Sequence, residues 1–197
     1  FRTTPDGKLA IVIADVSGKG IPAALFMAMS VTILRLAISL GLKPAEMMRH
    51  ANQAILVDQS SKMFTTAFVG YLDCDSGIMN FASAGHNPPI LYHNQSGSMD
   101  YLSAPGVALG VFKDVNFTEN EATLMVGDIL VLYTDGITEA INDDEEEFGE
   151  ERLEMILRKH SSKTAQALID IVIENIAEFA GEQGIFDDET IVIVKRS

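Results

Sequence analysis

Four times along this chain a hydrophobic run abuts an acid or a polar residue flanked by glycine: Asp15 in ADVSGKG, His86 in SAGHNPP, Asp135 in YTDGITEA, and Asp187 with Asp188 in FDDETIVIV. A carboxylate beside a buried strand costs free energy unless it is paired, hydrogen-bonded or bound to a metal. Three such carboxylates from distant parts of the chain point to a shared ion site. Hard cations such as Mg²⁺ or Mn²⁺ prefer oxygen ligands and keep several waters, so a few carboxylates suffice. Taken singly, Asp15 also suits a helix cap, Asp135 followed by Gly136 a turn, and the Asp187 and Asp188 pair a solvated loop. Their coincidence favours the ion site. His86, between Gly85 and Asn87, reads either as a loop-holding hydrogen bonder or as a catalytic group and stays outside the core set. The SGKG segment lacks the earlier glycine and the Ser or Thr of a phosphate-binding loop, and neither DCDSG nor DDEEEFG has calcium-loop spacing.

The order of elements follows from periodicity. Residues 9–15, LAIVIAD, are nearly all apolar, as in a strand buried on both faces. Gly18 and Gly20 then supply a tight loop, and Pro22 suits the first turn of a helix reaching Leu40. Leu25, Met29, Ile33, Leu36 and Leu40 recur along it at spacings of four and three and mark its apolar side. A second helix is predicted from Pro44 to about Asp58, with Met47, Met48, Ala51 and Ile55 inward. Segments 66–73 and 78–84 read as a hairpin. Strands are predicted at 90–92, around 116–124 and at 128–134, helices at 150–159 and 165–180, and a closing strand at 190–195. Strands and helices come in blocks, so the fold class is α+β. The acidic run 143–147 is an exposed loop.

At 197 residues with 47% hydrophobic content, the chain has the size and apolar share of one domain, 1–197. A net charge of -14, from 28 acidic against 14 basic residues, argues against a nucleic-acid partner. If the substrate is a phosphate ester, bound divalent metals are the economical way to reverse the repulsion. No apolar run approaches the roughly 20 residues that span a bilayer, so no membrane contact is expected. The one cysteine, Cys74, excludes an internal disulfide and suits a reducing cytoplasm. An opening Phe1 without a signal segment suggests a piece of a longer protein.

In their order, DVSGKG, AGHNPP, YTDGITEA and DDET followed by IVIV resemble the signature set of the type 2C (PPM) metal-dependent serine/threonine phosphatases. The nearest branch is the bacterial one of sporulation stage II protein E and the stress-response sigma-factor regulatory phosphatases, and the resemblance covers essentially the whole chain. It implies an α-β-β-α sandwich of two mainly antiparallel sheets flanked by helices. It also implies two Mn²⁺ or Mg²⁺ ions that activate a water to attack phosphoserine or phosphothreonine. The substrate implied is a phosphorylated regulatory protein, an anti-sigma-factor antagonist, under control of an upstream sensor domain. By motif, Asp15 resembles the carboxylate bridging both metals, the Val16 backbone carbonyl a ligand of one, and Asp135 and Asp187 ligands of the other. Catalysis by Asp15, Asp135 and Asp187 then runs through the metals, with Gly136 and Asp188 in support.

Two departures qualify the resemblance. Ser17 and Gly18 stand where eukaryotic members carry a histidine acid, which leaves protonation of the leaving group unassigned. Pro5, Asp6 and Gly7 read as a turn pairing residues 9–15 with an earlier strand of which residues 1–4 remain. That strand carries a metal-holding Gly-Gly-Asp motif in the family. One metal site is therefore expected to be weakened in this piece, and an open strand edge to favour a homodimer. The rival readings are a catalytically silent binding module on the same fold and a two-metal nuclease or phosphodiesterase, the latter disfavoured by the lack of a basic groove.

Overall fold

The computed structural model describes residues 1–57, 63–181 and 188–197. In chain order its elements are β1 (Arg2–Thr3), β2 (Leu9–Val16), α1 (Ile21–Ser39), α2 (Pro44–Leu56), β3 (Thr65–Leu72), β4 (Ile78–Ala84) and β5 (Ile90–Tyr92). There follow β6 (Met99–Tyr101), β7 (Asn120–Thr123), β8 (Ile129–Tyr133), α3 (Asp135–Thr138), α4 (Gly149–His160), α5 (Ala165–Ala180) and β9 (Ile191–Lys195). They form two compact units: Phe1–Pro88 with Ser103–Thr123, and Pro89–Leu102 with Leu124–Ser197.

The first unit holds a five-stranded antiparallel sheet in the order β1-β2-β3-β4-β7. The anticipated turn after β1 is there: the Gly7 N–H reaches the Thr4 carbonyl at 3.0 Å, and Arg2 pairs with Ala10 and Thr3 with Leu9. β2 then pairs along its whole length with β3, which sets Asp15 opposite Thr66 and Val16 opposite Thr65. The predicted strand around 116–124 is shorter than expected, only Asn120–Thr123.

Helix α1 turns a different face inward from the one its large residues suggest. Ala23, Phe26, Ser30, Leu34, Ala37 and Ile38 are buried, whereas Leu25, Leu36 and Leu40 are 68%, 60% and 66% exposed. The helix is apolar almost all round, with Arg35 its one charge, so the spacing of large residues does not mark the inner side. The small Ala23, Ser30 and Ala37 lie on the buried side, where they permit close approach, and Met29 and Ile33 pack only partly against the core. By length and composition alone α1 is also long and apolar enough to cross a membrane, which the sequence reading overlooked.

Helix α2 buries Met47, Met48, Ala51 and Ile55 as predicted; Asp58, its predicted end, lies outside the described residues. Between these apolar positions sits Asn52, 2% exposed. Its Nδ2 donates to the Phe112 carbonyl at 2.8 Å, and its Oδ1 accepts the Gly110 N–H at 2.8 Å. One amide thus satisfies both backbone polarities of a loop packed on the helix.

The second unit is a four-stranded antiparallel sheet in the order β6-β5-β8-β9. Ile90, Tyr92, Ile129, Val131 and Tyr133 pack with Leu153 and Leu157 of α4 and Leu168, Val172 and Ile176 of α5. Strand β6 and helix α3 were not foreseen, since three or four residues are too few for a period to register. At the entrance to β8, Asp128 is 1% exposed and accepts the N–H groups of Asn94 and Met125, both at 2.9 Å. The His93 ring lies between carboxylates, 3.3 Å from Asp128 and 2.9 Å from Asp100.

Two expectations follow. Asn52→Ala strands the Gly110 N–H and the Phe112 carbonyl, and should lower unfolding free energy by about 2 kcal/mol in a denaturant titration. A loss below about 0.5 kcal/mol would mean that water replaces the amide. In the second unit the bond to Asp100, followed by that to Asp128, raises the His93 pKa above its usual 6.5. Protonated His93 therefore adds stability that is complete below pH 6.5 and lost as pH rises through the elevated folded value. Between pH 6 and 8.5, wild type should lose more stability than His93→Gln; equal slopes would remove the ion pair from the account.

Candidate metal centre

Asp15 is the penultimate residue of β2 and is partly buried, and Val16, 8% exposed, anchors the strand end in the core. The chain then leaves the sheet through a loop tied at both sides. The Ser17 N–H donates to the Phe64 carbonyl at 3.0 Å, and the Phe64 N–H donates to Ser17 Oγ at 2.9 Å. Gly18 and Gly20 take φ of 95° and 84°, a region that favours glycine, and so bring α1 in directly behind Asp15. Beside this strand end, Thr66 Oγ1 lies 2.9 Å from Nδ1 of His86, which is 8% exposed.

In the second unit the remaining described candidates meet around Thr134. This residue stands at the N-cap position of α3 and joins β8 to the segment entering β9. Its N–H donates to the Thr190 carbonyl, its hydroxyl donates to the Asp188 carbonyl, and the Thr190 N–H donates back to Oγ1, each at 3.0 Å. Asp135 opens α3. Its Oδ1 accepts the Gly136 N–H at 3.0 Å, and its carbonyl accepts the Glu139 N–H at 2.7 Å. Gly136 is required by space: a Cβ there would stand 2.6 Å from the Asp188 carbonyl oxygen. The Asp188 residue is exposed and meets this cluster through its backbone. Asp187 lies outside the described residues.

Among the described residues no group of three or more His, Cys, Asp or Glu side chains is arranged so that it could hold a metal ion. The candidate donors are hard oxygens in each unit: the Asp15 carboxylate and Val16 carbonyl in the first, the Asp135 carboxylate in the second. Donors of this kind suit Mg²⁺ or Mn²⁺ and do not resemble the nitrogen and sulfur ligands typical of zinc. Thr134 and Thr66 escaped the sequence reading because a threonine at a strand end has no pattern apart from the strand.

Residues 5–197 match the family model described as stage II sporulation protein E (SpoIIE). The chain belongs to the SpoIIE family. It is 30% identical over 187 residues to the phosphoserine phosphatase RsbU of Bacillus subtilis, covering 94% of this chain and 55% of RsbU. The solved RsbU and RsbW domains of a Mycobacterium tuberculosis protein superpose at a TM-score of 0.83 with 28% identity, over 96% of this chain and 52% of that one. The SiaA-PP2C domain of Pseudomonas aeruginosa superposes at 0.84 with 23% identity, over 94% and 75%. The fold is that of the PP2C-type domains, α+β with two antiparallel sheets and helices. The chain spans about half the length of RsbU, and 34% of a second curated relative, the IcfG protein of Synechocystis.

The crowding at Gly136 gives a direct test. Gly136→Ala must push the 188–190 segment away from the end of β8, at a cost of about 1–3 kcal/mol for an overpacked backbone contact. A melting temperature several degrees below wild type is expected; an unchanged one would show that the segment yields freely.

Proposed function

We propose that residues 1–197 act as one catalytic domain of a metal-dependent phosphoserine phosphatase. Its substrate would be a phosphorylated regulatory protein, an anti-sigma-factor antagonist. Further sensing domains of the protein would govern it, and its setting would be the cytoplasm, where a free, exposed Cys74 is stable. The observation that carries this reading is the place of Asp15 and Asp135 at the ends of β2 and β8, in a SpoIIE-family chain that is similar to RsbU, a phosphoserine phosphatase.

Asp15, the Val16 carbonyl, Asp135 and Asp187 would hold two Mn²⁺ or Mg²⁺ ions. Such ions supply a water of lowered pKa and neutralise charge on the phosphoryl oxygens. Asp15 is suited to ligation because its strand is fixed on one side by β3 and its exit loop by Ser17. Thr134 holds the Asp188 backbone against the start of α3, which keeps Asp135 and the segment after Asp187 in register. Gly136 allows that approach, and Asp188 supports it. No side-chain nucleophile is needed, so a covalent phosphoenzyme is not part of the scheme.

The test uses the full-length protein on a phosphoserine peptide, on DNA and on a phosphate bis-ester, with Mn²⁺, with Mg²⁺ and with chelator. Hydrolysis of the phosphopeptide alone, and only with metal, is expected. Asp135→Asn should lower it at least about 100-fold, since a metal site supplies several kcal/mol and each 1.36 kcal/mol is tenfold in rate. A folded Asp135→Asn protein with full activity overturns the assignment, and a folded wild type that binds but never hydrolyses the phosphoprotein favours the silent module.

A further inference from the structure

Thr66 stands directly opposite Asp15 in the β2–β3 ladder. Side chains of directly opposed antiparallel residues share one face of the sheet, with Cβ atoms about 4.5–5.5 Å apart. Thr66 is thus the cross-strand neighbour of the Asp15 carboxylate. Thr66 Oγ1 also meets His86 Nδ1 at 2.9 Å. His86 reaches this position because Gly85, at φ 68°, forms a bridge with Ala67 and turns the chain just after β4. A Cβ at residue 85 would come within 3.0 Å of the Ala108 backbone nitrogen, so glycine is needed there for space as well. Three segments distant in sequence therefore bring the Thr66 hydroxyl onto the His86 imidazole and set Thr66 across the ladder from Asp15, while β3 continues beyond Thr66 as the apolar Ala67, Phe68 and Val69, each fully buried.

A polar pair beside a mostly apolar strand costs desolvation that plain packing would avoid. A threonine hydroxyl can accept one hydrogen bond and donate another, so it can pass orientation from an imidazole to a carboxylate. Carboxylates that ligate metals are themselves held by such outer hydrogen bonds. We propose that Thr66 and His86 are positioning residues for the metal ion at Asp15. His86 Nδ1–H donates to Thr66 Oγ1, and the Thr66 hydroxyl proton is thereby directed to the Asp15 carboxylate, fixing its ligating orientation. This rests on the reading of Asp15 as a metal ligand.

Calorimetric titration of Mn²⁺ into the metal-free full-length protein separates the two. Asp15→Asn is expected to lose binding. Thr66→Val, close to threonine in shape, should weaken Mn²⁺ affinity about 10–100-fold, the range typical of outer hydrogen-bond partners, while the metal-free protein stays folded at the titration temperature with melting lowered by the lost bond to His86. His86→Ala should weaken it similarly, and His86→Asn, whose amide can donate from the Nδ1 position, should recover most of the loss. If Asp15→Asn fails to bind while Thr66→Val and His86→Ala bind as wild type, the positioning row is refuted and the ligand reading survives. If Asp15→Asn itself binds as wild type, the ligand reading falls. Should His86→Ala not fold, Thr66→Val decides alone, and equal affinities of His86→Asn and His86→Ala would remove the donor role from His86.

Discussion

A carboxylate at the end of a buried strand must be held by something, and much of the local structure serves that requirement. Water is scarce beside a strand such as β8, whose five residues are all buried, so an acid at its end needs hydrogen bonds, a cation or both. At β8 the surroundings are backbone groups locked by Thr134 and spaced by Gly136. At β2 they are the loop tied by Ser17 and the polar residue across the ladder, Thr66. Both strand ends are thus fixed by the protein's own contacts, which on the proposed reading would lower the cost of ordering ligands when an ion binds.

Strands with strong patterns were readable, and so were the helices with one apolar stripe. Residues 9–15, the hairpin of β3 and β4, and the helices α4 and α5 came within a residue or two of their observed limits, because burial of a face imposes a period on the sequence. Helix α1 shows the limit of that logic. With apolar residues all round, its period carries no direction, and the buried side was decided by the partners of Ala23, Ser30 and Ala37; Ser30 bonds Thr65 at 3.0 Å.

For the site, the residue types were legible and their supports were not. Asp15 and Asp135 announce themselves by placing charge against an apolar run. Thr134, Thr66 and the crowding at Gly136 depend on which backbone lies alongside, and that is set by the register of β2 with β3 and by the return of residues 188–190 to β8. His86 is the intermediate case: its glycine-flanked position was visible, but its tie to the strand opposite Asp15 appears only once β3 and residue 85 are bridged.

Electrostatics gives the last constraint. On the proposed reading, a chain of net charge -14 that handles a phosphate ester would need cations at the reacting centre. Several of its basic side chains are engaged in holding the fold. Arg152 donates to the Glu147 and Phe148 carbonyls and lies 4.5 Å over the Phe179 ring. Arg158 donates to the Gly97 carbonyl, Lys195 to those of Ser161 and Lys163, and Arg196 to that of Leu124. A guanidinium fixed on backbone carbonyls is not available to clamp a phosphate. Positive charge supplied by divalent ions on the proposed aspartates would remove the conflict, because the same carboxylates that would repel a bare phosphate would become the means of attracting it.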